Sequence, residues 1–205
     1  MRYLMTASMV AAFALPQMVR ADEPKRANVP ISAKLVTKKD TYKLDLAGKS
    51  ADDFKKLLKD NEGQSAKLPK APVVDLVLEF TNTSDKELQL SISGDSTTLN
   101  LELKGPGAVS VTAEMMFTAD LKPNKAVTLA AGKSYSLPIT SLVYGFRGVA
   151  QAAYWTEAGE YTITASFKTG ISPAPKGSAK DPNYTDFGSV TIKAEPVKIK
   201  VEAPK

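Results

Sequence analysis

The chain has 205 residues, with 27 lysines and arginines against 22 aspartates and glutamates, and it contains neither histidine nor cysteine. The lack of those two residue types excludes Ser-His-Asp and Cys-His catalysis, disulfide bonds and the usual zinc sites. The small positive charge predicts no nucleic-acid partner. A chain of this length can bury enough apolar surface to fold as one domain without cross-links.

The first 21 residues have the pattern of a secretory signal peptide. Arg2 gives a basic start, residues 4–15 are an apolar run, and Val19-Arg20-Ala21 offers small residues to a signal peptidase. We therefore expect cleavage after Ala21 and a periplasmic or extracellular location. Loss of Arg2 and Arg20 would leave 25 basic and 22 acidic residues, a net charge of +3. No later stretch reaches the ~20 apolar residues of a membrane helix, which predicts no membrane insertion.

Residues 22–30 are charged and contain proline, which predicts a flexible leader before a domain at residues 31–202. Residues 31–36 and 41–46 are predicted as two short strands that form the first edge. Ser50-Ala51-Asp52-Asp53 is a capping-box sequence, followed by three apolar residues on one helical face. It predicts a helix over residues 51–60 that covers one end of a sheet. Residues 64–72, rich in lysine and proline, are predicted as a connector.

From residue 74 onward, apolar and polar residues alternate in short runs, which is typical of half-buried strands. Four runs between residues 74 and 115 predict a meander. Two more flank the turn Ala131-Gly132-Lys133, and an aromatic-rich link follows from Ser141 to Trp155. Residues 170–188 are predicted as a long polar loop before the last strands. About nine to eleven strands with one helix predict an all-β fold, an antiparallel immunoglobulin-like β-sandwich with one short helix.

The segment Glu157-Ala158-Gly159-Glu160-Tyr161 has the spacing of a tyrosine corner. In that motif a phenol near the start of a strand bonds back to the preceding loop. Gly159 and Tyr161 are therefore predicted as structural residues. The strand that follows should bury one face, because its apolar and polar residues alternate from Tyr161 to Lys168.

Three motifs carry a resemblance to bacterial immunoglobulin-like domains. They are Leu-Glu-Phe-Thr-Asn-Thr from residue 78, Val-Thr-Leu-Ala-Ala-Gly-Lys-Ser-Tyr from residue 127 and Ala-Gly-Glu-Tyr-Thr-Ile from residue 158. Among these domains the chain looks most like the intracellular proteinase inhibitor type, and over its whole length it also resembles uncharacterised exported proteins of planctomycete bacteria. The resemblance implies a sandwich fold. Ile163 stands where antibody domains have a cysteine, and Trp155 precedes the corner instead of lying on the third strand.

Two weaker patterns involve side-chain oxygens and amides. Asp181, Asn183 and Asp186 could offer oxygen ligands to a cation, but Thr185 and Asp186 depart from the calcium-loop pattern, which favours a solvated loop. Asn82-Thr83-Ser84 and Asn183-Tyr184-Thr185 are glycosylation sequons that matter only in a eukaryotic secretory pathway. We therefore predict no metal and no cofactor.

One group of residues stands out as a candidate ligand or partner patch: Tyr144, Phe146, Arg147, Tyr154 and Trp155. Arg147 is the only arginine after residue 26, so that position could require a planar, forked cation. Two interpretations stay open. In the first, the rings fill the core and Arg147 bonds a carboxylate such as Glu157. In the second, the residues form an exposed patch that binds a glycan, a peptide or another protein.

From these patterns we expect an exported, non-enzymatic binding or structural protein of the cell envelope. Its partner would be a protein, a peptide or a glycan. An inhibitor of extracellular proteases that presents residues 170–188 is the alternative. A third hypothesis is a carboxylate-based hydrolase of envelope polysaccharide, although no acidic pair is singled out by spacing.

Overall fold

The computed structural model describes residues 28–113, 122–146, 149–181 and 184–204. The predicted signal peptide, residues 22–27 of the predicted leader, Arg147 and Asn183 lie outside the described residues. Within the described ranges the chain is mostly β-strand, with a single α-helix, α1 (Ala51–Asp60), and a 3-10 turn at Ser65–Lys67. The described strands are β1 (Ile31–Thr37), β2 (Thr41–Lys43), β3 (Val73–Asn82), β4 (Leu88–Ser93), β5 (Thr98–Lys104), β6 (Ala108–Ala113), β7 (Lys125–Leu129), β8 (Ser134–Ser141), β9 (Val143–Phe146), β10 (Val149–Trp155), β11 (Gly159–Ser172), β12 (Ala179–Lys180), β13 (Gly188–Glu195) and β14 (Val197–Glu202).

These strands form one continuous hydrogen-bonded sheet, whose main path runs β6-β10-β9-β5-β11-β13-β1-β3-β8. Most pairs are antiparallel, but β1 lies parallel to β13 and β2 lies parallel to β14. The predicted antiparallel arrangement is therefore correct only in part. The first two strands each join a C-terminal strand and do not form an edge together. Parallel neighbours need long connections, so the local sequence pattern gave no sign of this pairing.

The predicted four-stranded meander is wrong. β3 pairs with β1 and β8, β4 with β7 and β11, β5 with β9 and β11, and β6 with β10. No two consecutive strands from β3 to β6 pair with each other in the described part of the chain. Alternating apolar residues predict that a strand has one buried face, but they do not predict which strand lies beside it.

Two predicted connections also contain regular structure. The aromatic-rich link is largely a hairpin of β9 and β10, in which Val149 lies opposite Phe146 and Gln151 lies opposite Tyr144. The predicted loop at residues 170–188 is shorter than expected, because β11 continues to Ser172 and β12 pairs with β13.

The sheet curves around a common core. β3 and β11 are not neighbours in the sheet, yet the ring centroids of Phe80 and Phe167 lie 5.2 Å apart. Trp155 lies between two tyrosines, 5.5 Å from the ring of Tyr42 and 6.2 Å from that of Tyr161. The apolar row predicted for β11 is buried in this core: Tyr161, Ile163, Ala165 and Phe167.

Tyr161 ties the start of β11 to the loop before it. Its hydroxyl donates to the carbonyl oxygen of Glu157 at 2.8 Å and also to that of Pro106. Gly159 makes this approach possible, since a Cβ at that position would lie 2.8 Å from Cγ of Pro106. This is the hydrogen-bond geometry of a tyrosine corner.

Tyr161→Phe should lower the free energy of unfolding by about 1–3 kcal/mol, because two carbonyl oxygens lose their donor while the ring stays packed. Chemical denaturation of residues 22–205 measures the change. Tyr135→Phe on β8 is the matched control, since the Tyr135 hydroxyl has no hydrogen-bond partner among the described residues. Equal losses in both variants would contradict a specific role for the Tyr161 hydroxyl.

Alkaline pH should also weaken the fold. Burial raises the pKa of the Tyr154 and Tyr161 phenols above the ordinary value of 10.0. Above about pH 10 the unfolded chain therefore releases these protons while the folded chain keeps them, and the free energy of unfolding falls as pH rises. Denaturation midpoints between about pH 8 and about pH 11 test this dependence. Tyr161→Phe should make the fall shallower, whereas an unchanged slope would show that this phenol is not responsible.

Helix α1 is capped as its sequence predicts. Oγ of Ser50 accepts a hydrogen bond from the backbone N–H of Asp53 at 3.1 Å. Beyond the end of the helix, the N–H of Gly63 donates to the carbonyl of Thr112 at 2.8 Å, and the N–H of Thr112 donates to Oε1 of Glu62 at 3.2 Å. The segment after α1 therefore covers part of the free edge of β6.

The apolar side of α1 packs on the outer face of the β6–β10 pair. Phe54 and Leu58 are buried there against Val111, Ala152 and Tyr154. The rings of Phe54 and Tyr154 meet edge to face with 6.1 Å between their centroids. Because the other face of β10 contributes Ala153 and Trp155 to the main core, this strand is buried on both sides.

Phe54→Ala should destabilise the protein by about 3–5 kcal/mol, because it removes the largest apolar side chain between α1 and the sheet. Lys56→Ala, on the exposed side of the same helix, should change the free energy of unfolding by less than ~0.5 kcal/mol. Denaturation curves of the two variants measure this difference. A small effect of Phe54→Ala would mean that α1 is not needed to cover β10.

Candidate functional site

The predicted patch divides between the core and the surface. Tyr144, Tyr154 and Trp155 are buried, whereas Phe146 is 41% exposed. Arg147 lies outside the described residues. Three of the four described members therefore pack inside the protein, which agrees with the interpretation in which the rings fill the core.

The buried rings also have polar partners. The hydroxyl of Tyr154 donates to the carbonyl of Pro69 in the connector at 2.8 Å. Glu157, considered as a partner of Arg147, accepts a hydrogen bond from Nζ of Lys55 at 2.8 Å, which raises the pKa of Lys55. Tyr154 and Glu157 thus attach the connector and α1 to the sheet.

Three apolar side chains of the β9–β10 hairpin are exposed: Val143, Phe146 and Val149. Phe146 and Val149 are directly opposite each other, on the face of the hairpin that also carries Tyr144. Val143 points to the other face, because side chains alternate along a strand. Phe146 and Val149 therefore lie on the core-facing side of the hairpin, but beyond the edge of the core, where their side chains are exposed.

A groove of about 400 Å³ opens between β8 and β9 beside Phe146. Its apolar lining comes from six side chains: Ile92, Leu99, Leu137, Pro138, Phe146 and Phe167. Asp95 and Lys122 add one charge of each sign. Gly145 lets the hairpin close here, since a Cβ on that residue would lie 2.4 Å from the carbonyl oxygen of Val149.

A smaller polar pocket of about 130 Å³ lies beside the groove. Its lining includes three hydroxyl residues, three charged residues and one ring: Ser96, Thr98, Ser189, Asp95, Asp181, Lys168 and Phe146. Asp181 is buried and accepts a hydrogen bond from Oγ of Ser96 at 3.1 Å. Phe146 lines both cavities, and we call the groove and the pocket together the mouth.

Sequence patterns did not reveal this grouping. Asp95, Ser96 and Thr98 come from the β4–β5 turn and β5, Lys168 from β11, and Asp181 from a distant loop, so no spacing connects them. In the sequence, Asp181 could act as a cation ligand together with Asn183 and Asp186. Its carboxylate instead bonds Ser96, and the described residues contain no cluster of three acidic side chains able to hold a metal ion.

The loop after β11 is fixed to the rest of the domain. The hydroxyl of Tyr184 accepts a hydrogen bond from the N–H of Asn124 at 2.8 Å, and the N–H of Asp181 donates to the carbonyl of Phe187 at 2.9 Å. Presentation of this loop to a protease stays a prediction.

The first sequon is part of the folded core. Asn82 is fully buried, and its Nδ2 donates to the carbonyls of Lys86 and Leu129 at 2.7 and 2.9 Å. The amide nitrogen that would accept a glycan is therefore inaccessible in the folded protein.

Comparison with known proteins gives no family. No protein-family model matches the chain, and no curated protein matches it at a significant level.

Among the described residues, the protein has no helix with the length and apolar character required to cross a membrane.

Three solved structures show weak similarity. Trypsin-activated α2-macroglobulin from Escherichia coli is 17% identical with a TM-score of 0.31, and the match covers 86% of this chain but 7% of that one. AvmM, which catalyses macrocyclization in alchivemycin A biosynthesis, is 12% identical with a TM-score of 0.32, over 86% of this chain and 91% of that one. The ASH/PapD-like domain of human CEP192 is 8% identical with a TM-score of 0.24, over 97% and 99%. These values are too low to support an assignment of function.

Proposed function

We propose that the protein is an exported, non-enzymatic binding protein of the cell envelope, with an immunoglobulin-like β-sandwich as its scaffold. The N-terminal signal-peptide pattern supports export. The tyrosine corner of Tyr161 and the ring contact between Phe80 and Phe167 support two facing layers. The scaffold would hold the mouth in a fixed shape.

The exposure of Phe146 at the wall between two cavities is the observation that carries the proposal. A phenyl ring that is 41% exposed leaves apolar surface in contact with water, and Val149 beside it is 58% exposed. Large exposed apolar side chains next to concave surfaces are typical of binding sites. Aromatic side chains with a polar rim also tend to dominate binding energy.

The chemical groups of the mouth suit recognition. The chain has neither histidine nor cysteine, so it lacks the nucleophile and base pairs that these residues form. The mouth offers two aromatic rings, hydroxyls, two carboxylates and two ammonium groups. These groups fix the orientation of a ligand by stacking and hydrogen bonding.

Phe146→Ala should weaken binding of the purified mature protein to sedimented envelope fragments of the producing cells by about tenfold or more. Val143→Ala is the matched control. Val143 lies on the same strand with 43% exposure, but it faces away from Phe146. Its truncation should leave binding within about twofold, because it removes a similar kind of exposed surface outside the mouth.

Equal loss in the two variants, or no binding of the unaltered protein to envelope fragments, would contradict the proposed function. Export is tested separately by intact-mass analysis of the protein recovered from the envelope and the medium. Cleavage after Ala21 predicts a mature N-terminus at Asp22.

A further inference from the structure

We infer that the polar pocket beside Phe146 binds one sugar ring of an envelope polysaccharide. This inference rests on the proposed function, because it names the ligand of the same mouth. It concerns the pocket and not the apolar groove, and it depends on three features: the wall formed by Phe146, the mixed polar lining and the fixed position of Asp181.

The ring of Phe146 supplies the apolar contact. One face of a pyranose carries mainly C–H groups, and an aromatic side chain offers a flat, rigid surface of matching size. Phe146 is the one aromatic residue among the large exposed apolar side chains of the described chain. It is therefore placed to stack against a sugar whose hydroxyls enter the pocket.

The polar lining complements hydroxyl groups. Lys168 supplies donors, and the hydroxyls of Thr98 and Ser189 can both donate and accept. The carboxylates of Asp95 and Asp181 and the hydroxyl of Ser96, which already interact with other residues, complete the lining. A sugar hydroxyl is likewise both donor and acceptor. An acyl chain or an apolar peptide side chain would desolvate these groups without replacing their hydrogen bonds, so this pocket disfavours both ligands.

Asp181 is held in place in the wall of the pocket before any ligand arrives. The carboxylate of Asp181 accepts a hydrogen bond from Oγ of Ser96, and the backbone N–H of Asp181 donates to the carbonyl oxygen of Phe187. Gly170 allows this packing, because a Cβ there would lie 3.2 Å from Oδ2 of Asp181 and 3.1 Å from Cδ1 of Phe187. Fixing a polar group in advance lowers the entropic cost of binding.

The size of the pocket limits what enters it. A volume of about 130 Å³ corresponds to roughly four water molecules at liquid density, enough for the polar edge of one ring. Further sugar units would extend over the outer face of β5, β11 and β13. Two polar rows cross these strands there: Thr98, Lys168 and Thr191, then Asn100, Ser166 and Lys193.

The test is calorimetric titration of the mature protein with soluble oligosaccharides. The probes are oligomers of N-acetylglucosamine, glucose, mannose and galacturonic acid. We expect at least one of the four to bind. Phe146→Ala and Lys168→Met should each weaken that binding by about tenfold, the effect of losing one stacking or charged contact.

Two controls match these changes. Val143→Ala truncates an equally exposed side chain on the other face of β9, and Lys56→Met removes the same charge from the outer side of α1. Both should bind the sugar as the unaltered protein does. Thermal unfolding of all four variants verifies that each is folded in the titration.

The possible results separate the two proposals. If no oligosaccharide binds while envelope binding still requires Phe146, the sugar assignment is wrong and the binding function stands. If a sugar binds but neither Phe146→Ala nor Lys168→Met weakens it, the sugar lies elsewhere and the assignment to this pocket is also wrong. If envelope binding itself is independent of Phe146, the proposed function fails.

Discussion

The architecture depends on the hydrogen bonding of β11, the longest strand that the structure describes. One of its edges pairs with β5 and β4, and the other pairs with β13 and β14. Its inward row from Tyr161 to Phe167 is buried, and Phe167 contacts Phe80 across the core. A strand with four partners has little freedom to shift in register, because a shift of one residue would turn the buried row to solvent. The Tyr161 hydroxyl fixes the end at which this register begins.

Features encoded by neighbouring residues could be predicted from the sequence. Helix α1 spans the predicted range because Ser50, the apolar spacing of Phe54 and Leu58, and the following turn are local signals. Pairing partners could not be predicted in this way. β1 joins β13 although most of the chain separates them, and β10 is buried on both sides only because α1 covers it. A pattern that alternates along one strand contains no information on a neighbour from a distant segment.

The difference between local signals and contacts of distant segments also explains how far the candidate site could be predicted. Its aromatic hairpin was visible as a concentration of rings, but the sequence could not separate Tyr144 and Trp155, which fill the core, from Phe146, which borders the mouth. The polar pocket was not visible at all, since Asp95, Lys168 and Asp181 come together only through the pairing of β5, β11 and β13. Gly145 and Gly170 have close contacts that shape the two cavities, and no sequence pattern predicts those contacts.

The boundary between stability and binding falls within a single strand. Tyr144 and Phe146 share one face of β9 and lie about 7 Å apart along it. Over that distance the environment changes from the closed core to the open mouth, and the exposed fraction rises from 9% to 41%. Truncation at position 144 would open a cavity, whereas truncation at position 146 removes surface that already meets water. The buried side of the hairpin thus positions its exposed end, and the side chain at position 146 can change with little effect on the fold that supports it.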